Sequence, residues 1–483
     1  MTEEFSYNTY LSVFTWRYGT PEMRKIFSET KTRAMWRKVW LSLAEAQAEY
    51  GIVSGKELAD IKSKAGEEHV NLKRAHEIEK IIKHDLMAEV KTYAEQASLG
   101  GGKIHLGATS MDIEDNVDVL KIKDALTMIL LSLVNCLDSV SNNVVKYRDT
   151  VCMGWTHLQP AEPTTVGYRF ANYAQDIVID IQFVEILLTR FVKGKGVKGA
   201  VGTSASFKHL LHGKGEPDQL EDRVMAKLGL EAFPVSTQTY PRKLDYLVLS
   251  ALASIAQSTY KFGFDMRIMQ SPGFGEMSEP IGKAQVGSSA MPFKKNPTAA
   301  ERMCSLSRYV GMLPHVAFSN AANMILERTL DDSANRRLIF PEGFLAVDEC
   351  LVLYNKIVRG VQVYPQMIKK NLERYGQFAG TEALLMSLVE KGEDRQEMHE
   401  VIRQHSFKAW EAVMRGEANP IENMIAGDAK LESVSKKDLQ KLLDPSKHIG
   451  DAVKRCDEFV SETVKPILST YKGKIGKAAK TVF

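Results

Sequence analysis

Apolar side chains along residues 116–145 fall at Val119, Ile122, Leu126, Ile129, Leu133, Leu137, Val140 and Val144, in steps of three and four. That spacing keeps them on one face of a helix. It recurs over residues 164–192 at Val166, Phe170, Tyr173, Ile177, Ile181, Val184, Leu188 and Phe191. Each stripe predicts a helix of about eight turns and more than about 40 Å, where about three turns is typical. Further helices are expected over residues 31–50, 246–270, 298–320 and 341–359, and strand patterns are few and short. Such lengths suit an all-α bundle. The stripes are longer than a compact single subunit uses, so some faces are expected to be buried against other copies of the chain.

Polar, glycine-rich interruptions separate the helices at residues 98–116, 193–207 and 271–297. Irregular stretches this long are usually functional or disordered, and three of them suggest a composite site. Boundaries are expected near residues 111 and 364. They give an N-terminal helical domain (1–111), a central long-helix bundle (112–364) and a C-terminal helical domain (365–483).

The bulk composition narrows the function. With 483 residues, 44% of them hydrophobic, the chain can bury a large core. Its 63 basic and 60 acidic residues leave a formal charge of +3, so no global field favours nucleic acid and any anion preference is local. The N-terminus lacks the pattern of a secretory leader, and no apolar run approaches the roughly 18 to 20 residues that span a bilayer. A cytoplasmic protein without membrane association is expected. Cys136, Cys152, Cys304, Cys350 and Cys456 show no CxxC spacing and read as small core hydrophobes. The lysines of the basic tail, Lys472, Lys474, Lys477 and Lys480, have no assigned role.

Some apparent motifs carry no chemistry. Gly194, Gly196 and Gly199 match G-x-G-x-x-G but follow a helix, not the strand of a βαβ unit. His399 and Glu400 begin as a zinc-protease helix would, yet Arg403 occupies the second histidine position and His405 falls on another face. His209 and His212 lack a nearby third ligand.

Residues 287–297, GSSAMPFKKNP, are different. Adjacent glycine and serine amides can form a nest for an anion, Lys294 supplies positive charge and Asn296 a neutral donor. Such a group can hold a carboxylate, or stabilise the charge that appears when a proton leaves the carbon beside one. A serine can act as the base only if its alkoxide is stabilised, and these amides and the lysine supply that.

This segment resembles the GSSxMPxKxNP signature of the fumarase/aspartase superfamily, and every fixed position matches. Six more segments resemble the adenylosuccinate lyase family and occur in its order: RYGTPEM (17–23), KHDLMAEV (83–90), IHLGATSMDIEDN (104–116), THLQPAEPTTVG (156–167), QTYPRKLD (238–245) and ERTLDDSANRR (327–337). The resemblance implies an all-α, three-domain subunit that forms a homotetramer, each active site shared among three subunits. It implies loss of fumarate from adenylosuccinate, giving AMP, and from SAICAR, giving AICAR, with no metal or organic cofactor. By the same resemblance Ser288 is the general base, with Ser289 structural, and His157 the general acid, supported by Glu301. Lys294 and Asn296 stabilise the aci-carboxylate, and His84 with Asp85 orients the substrate. Arg17, Tyr18, Arg328, Ser333 and Arg337 match nucleotide-binding positions, and Arg302 reaches a phosphate or carboxylate. Thr109, Ser110, Thr156 and Gln238 match positions around the succinyl group. Lys83 stands where the family often has arginine, keeping the charge but losing the planar fork. The competing readings are another superfamily lyase, such as an argininosuccinate lyase, and a catalytically silent crystallin-like homologue.

Overall fold

The computed structural model describes residue 6, residues 8–282 and residues 284–476. Lys477 and Lys480 of the basic tail lie outside that range.

The elements that matter for the site begin with α1 (Glu29–Ala48), which starts where Ser28 Oγ accepts the Lys31 N–H at 3.3 Å. Next come α2 (Leu72–Ile82), α3 (Asp85–Gln96) and the 37-residue α4 (Ser110–Lys146). The last of these begins six residues ahead of the apolar stripe, because the Asp112 carboxylate accepts the Thr109 N–H at 2.9 Å and caps the helix. The interruption expected over residues 98–116 is therefore shorter. Its final turns are helical and bury Asp112, Asp115 and Asn116.

A hairpin of β1 (Val151–Thr156) and β2 (Gln159–Thr165) leads into α5 (Val166–Ile186), which runs on as a π-helical turn through Leu187–Phe191. Then come α6 (Lys243–Gln270), the short β3 (Met277–Ser278), α7 (Thr298–Ala322) and α8 (Ser333–Gly360). The chain returns through β4 (Gln362–Val363), antiparallel to β3. The eighth helix starts well before the expected residue 341 and carries Pro341 inside it. Its first turns hold Asn335, Arg336 and Arg337 in place of an apolar stripe, so hydrophobic spacing alone misses them.

The five long helices share one core. Leu133 and Leu137 of α4, Ile177 and Ile181 of α5, Leu252 and Phe262 of α6, Val310 of α7 and Phe344 of α8 are fully buried. Each such side chain contributes about 1.5–3 kcal/mol. The Phe262 ring lies 4.4 Å from that of Tyr354 and 5.2 Å from that of Tyr173, centroid to centroid. All five cysteines are free and buried, as read from their spacing. A second core forms from Leu384, Leu388, Met398, Ile402, Ile421, Leu439 and other residues of the C-terminal helices. No helix among the described residues is long and apolar enough to cross a membrane.

Candidate functional site

The signature segment leads from β3 into the N-terminus of α7 and is closed on itself. Asn296 Nδ2 donates to the Gly287 carbonyl at 3.0 Å, the Lys294 N–H to the Met291 carbonyl at 3.0 Å, and the Met291 N–H to Ser288 Oγ at 3.2 Å. Gly287 passes so near the other end that a Cβ there would lie 2.3 Å from the Lys294 carbonyl oxygen. Gln270, at the end of α6, holds the base of the segment. Its Nε2 donates to the Lys295 carbonyl at 2.8 Å, and its Oε1 accepts the Glu279 N–H at 3.0 Å. Lys294 and Phe293 are exposed.

Beneath the segment, the buried carboxylate of Glu279 accepts the Ala299 and Ala300 N–H groups at 3.1 and 2.9 Å, a cap on α7. Burial raises its carboxyl above the ordinary range despite those two amides. Sequence reasoning missed Glu279, because its contacts span some twenty residues of irregular chain that no local spacing marks. Glu301 stands exposed in the first turn of the same helix.

His157 sits at the exposed tip of the β1–β2 hairpin. Both tip residues are left-handed, His157 at φ 53° and Leu158 at φ 59°, the pattern of a two-residue turn that usually takes Asn-Gly. A non-glycine residue held there costs about 1–2 kcal/mol, a strain that the two-residue turn imposes on His157 and Leu158 alike. Thr156 precedes it at the same tip. Among the described residues of one chain, no hydrogen bond or ion pair engages His157.

Five of the expected site residues line one cavity of about 1150 Å³: Lys83, Asp85, Arg328, Ser333 and Arg337. The turn between α2 and α3 supplies the first two. Lys83 ends α2 in a left-handed conformation, and His84 Nδ1 accepts the Met87 N–H at 3.5 Å as the cap of α3. Arg337 donates to Asp85 at 2.7 Å. Burial works to raise the Asp85 carboxyl, but the hydrogen bond and charge of Arg337 outweigh it and hold it below its ordinary value.

An ionic lattice that sequence reasoning did not assign reaches the cavity wall through Asp115, Asp118 and Arg336. Arg242 bridges Asp115 (3.0 Å) and Asp332 (2.8 Å), while Arg336 reaches Asp245 (2.8 Å), Asp118 (3.1 Å) and the Tyr240 hydroxyl (2.6 Å). All but Asp118 are buried. Its trace in the sequence is the alternation of acid and base in QTYPRKLD and ERTLDDSANRR. Glu114, on α4, also faces the cavity. Burial first, and then the charges of Asp85, Asp118 and Asp115, push its carboxyl up to about 8.

The remaining expected residues lie in other groups. Arg302 contacts Glu349 at 3.4 Å with its guanidinium 5.6 Å from the Tyr18 ring centroid, and Arg17 lies 5.9 Å from the same ring. The loop carrying Arg17 and Tyr18 is held by buried acids of α8, which accept the Gly19 N–H (Glu349, 3.1 Å) and the Thr20 N–H (Asp348, 2.7 Å). Thr109 and Ser110 open α4, where Asp112 also binds the Lys195 ammonium and the Lys198 N–H (3.0 Å), pinning the 193–207 stretch against them. Gln238 donates its N–H to the Glu327 carbonyl at 3.2 Å, joining two of the motif segments. Neither Ser288 nor His157 lines the large cavity.

A family profile described as "Lyase" matches residues 16–311, and one described as "Adenylosuccinate lyase C-terminus" matches residues 377–459. The chain is 37% identical over 474 residues to the adenylosuccinate lyase of Schistosoma mansoni, covering 96% of this chain and 97% of that one. It is 37% identical over 473 residues to that of Saccharomyces cerevisiae, with the same coverage, and 36% identical over 457 residues to that of Pyrococcus horikoshii, covering 92% and 97%. Among solved structures, a fumarate lyase from Mesorhizobium sp. BNC1 matches with a TM-score of 0.81 and 24% identity, covering 94% of this chain and 100% of that one. The 3-carboxy-cis,cis-muconate lactonizing enzyme from Pseudomonas putida matches with a TM-score of 0.84 and 24% identity, covering 95% and 99%.

Proposed function

Since this chain belongs to the adenylosuccinate lyase family, within the all-α fumarase/aspartase superfamily, and is a lyase, we propose that it releases fumarate from adenylosuccinate and from SAICAR. Ser288 takes the proton β to the nitrogen. The electrons of that C–H bond pass into the adjacent carboxylate as an aci-carboxylate, which Lys294 and Asn296 stabilise. They return to form the C=C bond of fumarate as the C–N bond breaks, and His157 protonates the departing nitrogen. Glu301 favours the imidazolium and fixes its tautomer. His84 with Asp85 orients the substrate.

The nucleotide occupies the large cavity. Arg328, Ser333 and Arg337 hold its phosphate there, assisted by Lys83, and Arg17 and Tyr18, which lie apart from the cavity in one chain, join the nucleotide site when copies of the chain come together. Arginine forks suit phosphate oxygens. Thr109, Ser110, Thr156 and Gln238 surround the succinyl carboxylates, and Arg302 reaches one of the charged ends. The convergence of Lys83, Arg328 and Arg337 on one cavity carries this reading, because cleavage of the C–N bond does not itself call for three cations there, whereas a nucleotide phosphate does.

The site is completed in a homotetramer. Apolar residues stand exposed along the long helices, among them Ile179 and Ile186 of α5, Met312 and Phe318 of α7 and Leu338 of α8, which supports burial against other subunits. We place the enzyme in the cytoplasm with its nucleotide substrates.

An ultraviolet assay of adenylosuccinate cleavage tests the assignment. S288A and H157A are each expected to lose at least about 100-fold in kcat. Release of fumarate from argininosuccinate but not from adenylosuccinate would overturn it.

A further inference from the structure

The carboxylates that line the large cavity have cations in contact, with one exception. Asp85 pairs with Arg337, Asp115 with Arg242, and Asp118 with Lys121 and Arg336. At the outer rim, Arg33 serves both Glu29 and Glu79. Glu114 lines the same space, yet among the described residues it makes no hydrogen bond or ion pair. Facing it are Asp85 from the start of α3, Arg337 from α8, and Asp115 and Asp118 from its own helix. Lys83, Lys121 and Arg328 line the cavity with it, as do His76 and Lys80 of α2 at the rim. Burial first, and then the charges of Asp85, Asp118 and Asp115 against the one near cation of Arg337, push its carboxyl up to about 8, which favours the acid form at neutrality. A protonated carboxyl donates a hydrogen bond, which a carboxylate cannot do.

We propose that Glu114 is a specificity-determining residue of the nucleotide cavity: as the neutral acid it donates a hydrogen bond to the phosphate held by Arg328, Ser333 and Arg337, and as the carboxylate it repels that phosphate. This rests on the reading of the cavity as the nucleotide site. An incoming phosphate adds negative charge beside Glu114 and strengthens its hold on the proton, so binding draws in a proton once the solution is alkaline enough to ionise the free protein.

The test is calorimetric titration of AMP into the full-length protein and its E114Q and E114A variants at about pH 7 and about pH 9.5, on either side of the Glu114 transition. The unsubstituted protein is expected to lose about tenfold in affinity between the two. E114Q, which keeps a donor and cannot ionise, binds with similar affinity at neutrality and loses at most about threefold. E114A is weaker at neutrality and equally insensitive to pH. Should E114Q fail to fold, the flat profile of E114A carries the same comparison. Parallel pH profiles for the unsubstituted protein and both variants would overturn the role of Glu114 alone. Failure of every form to bind AMP at neutrality would overturn the nucleotide reading, and this inference with it.

Discussion

A Cβ at Gly287 would stand 2.3 Å from the Lys294 carbonyl oxygen, closer than carbon atoms approach, so G287A must part the two ends of the signature segment. The segment is exposed and adds little to the core. G287A is therefore expected to leave the melting temperature nearly unchanged while kcat falls by about 100-fold, the usual consequence of displacing reacting groups by about 1 Å. An unaltered kcat would show that closure of the segment is irrelevant to turnover. Asp348 offers a different single-residue test. Burial lifts its carboxyl to about 6 even though it accepts the Thr20 N–H. The unfolded chain, with a value near about 3.9, gives up its proton first. The native state then binds more protons over that interval, and the stability this group contributes declines as pH rises from about 4 to about 6. D348N keeps an acceptor for Thr20 and cannot ionise. Its urea-unfolding free energy relative to the parent is expected to rise by about 1–3 kcal/mol between about pH 4 and about pH 7, and a constant offset would rule this account out.

At the level of elements, α8 presents neighbouring arginines to opposite tasks. Arg336 is buried against Asp245 and Asp118, whereas the side chain of Arg337 is 66% exposed and reaches over the cavity to Asp85. Removing the first strands the buried Asp245 carboxylate, so R336A is expected to cost about 3–5 kcal/mol in chemical denaturation. R337A is expected to change stability by less than about 1 kcal/mol and to act on KM for adenylosuccinate. If R336A proved as harmless as R337A, the lattice would not be what holds the start of α8 in place. This pair also marks where the sequence is readable. Apolar spacing located the bodies of the long helices, because each buries one stripe against its neighbours. It failed at the starts of α4 and α8, where Asp112, Asp115, Arg336 and their partners replace apolar burial with charge pairing. Chemistry-bearing segments could be recognised by residue order, as at residues 287–297. The Glu279 cap and the Arg242 bridges join residues far apart in the chain and have no local pattern to betray them.

On the scale of the whole molecule, one chain presents its candidate groups at separate places: the large cavity, the signature segment, the hairpin tip and the Arg17/Tyr18/Arg302 cluster. Apolar residues stand exposed along α5 and α7, and in the proposed tetramer this is the surface on which copies of the chain would bring those places together. If the chain forms the proposed tetramer through this surface, M312E with F318D is expected to dissociate it in analytical ultracentrifugation and to abolish activity. Mixing S288A with H157A after partial denaturation is expected to restore measurable activity, because some sites would then draw an intact serine and an intact histidine from different subunits. Permanent inactivity of well-formed mixed tetramers would argue that each chain builds its own site. One further consequence follows from Gln270, whose side chain engages the signature segment with its nitrogen and the Glu279 backbone with its oxygen. Only an amide offers both ends at once: glutamate forfeits the donor, lysine the acceptor, and asparagine is a methylene too short. Across a lineage this half-buried helix end should thus drift far less than its surroundings, and a change there would call for a compensating replacement somewhere between residues 279 and 295.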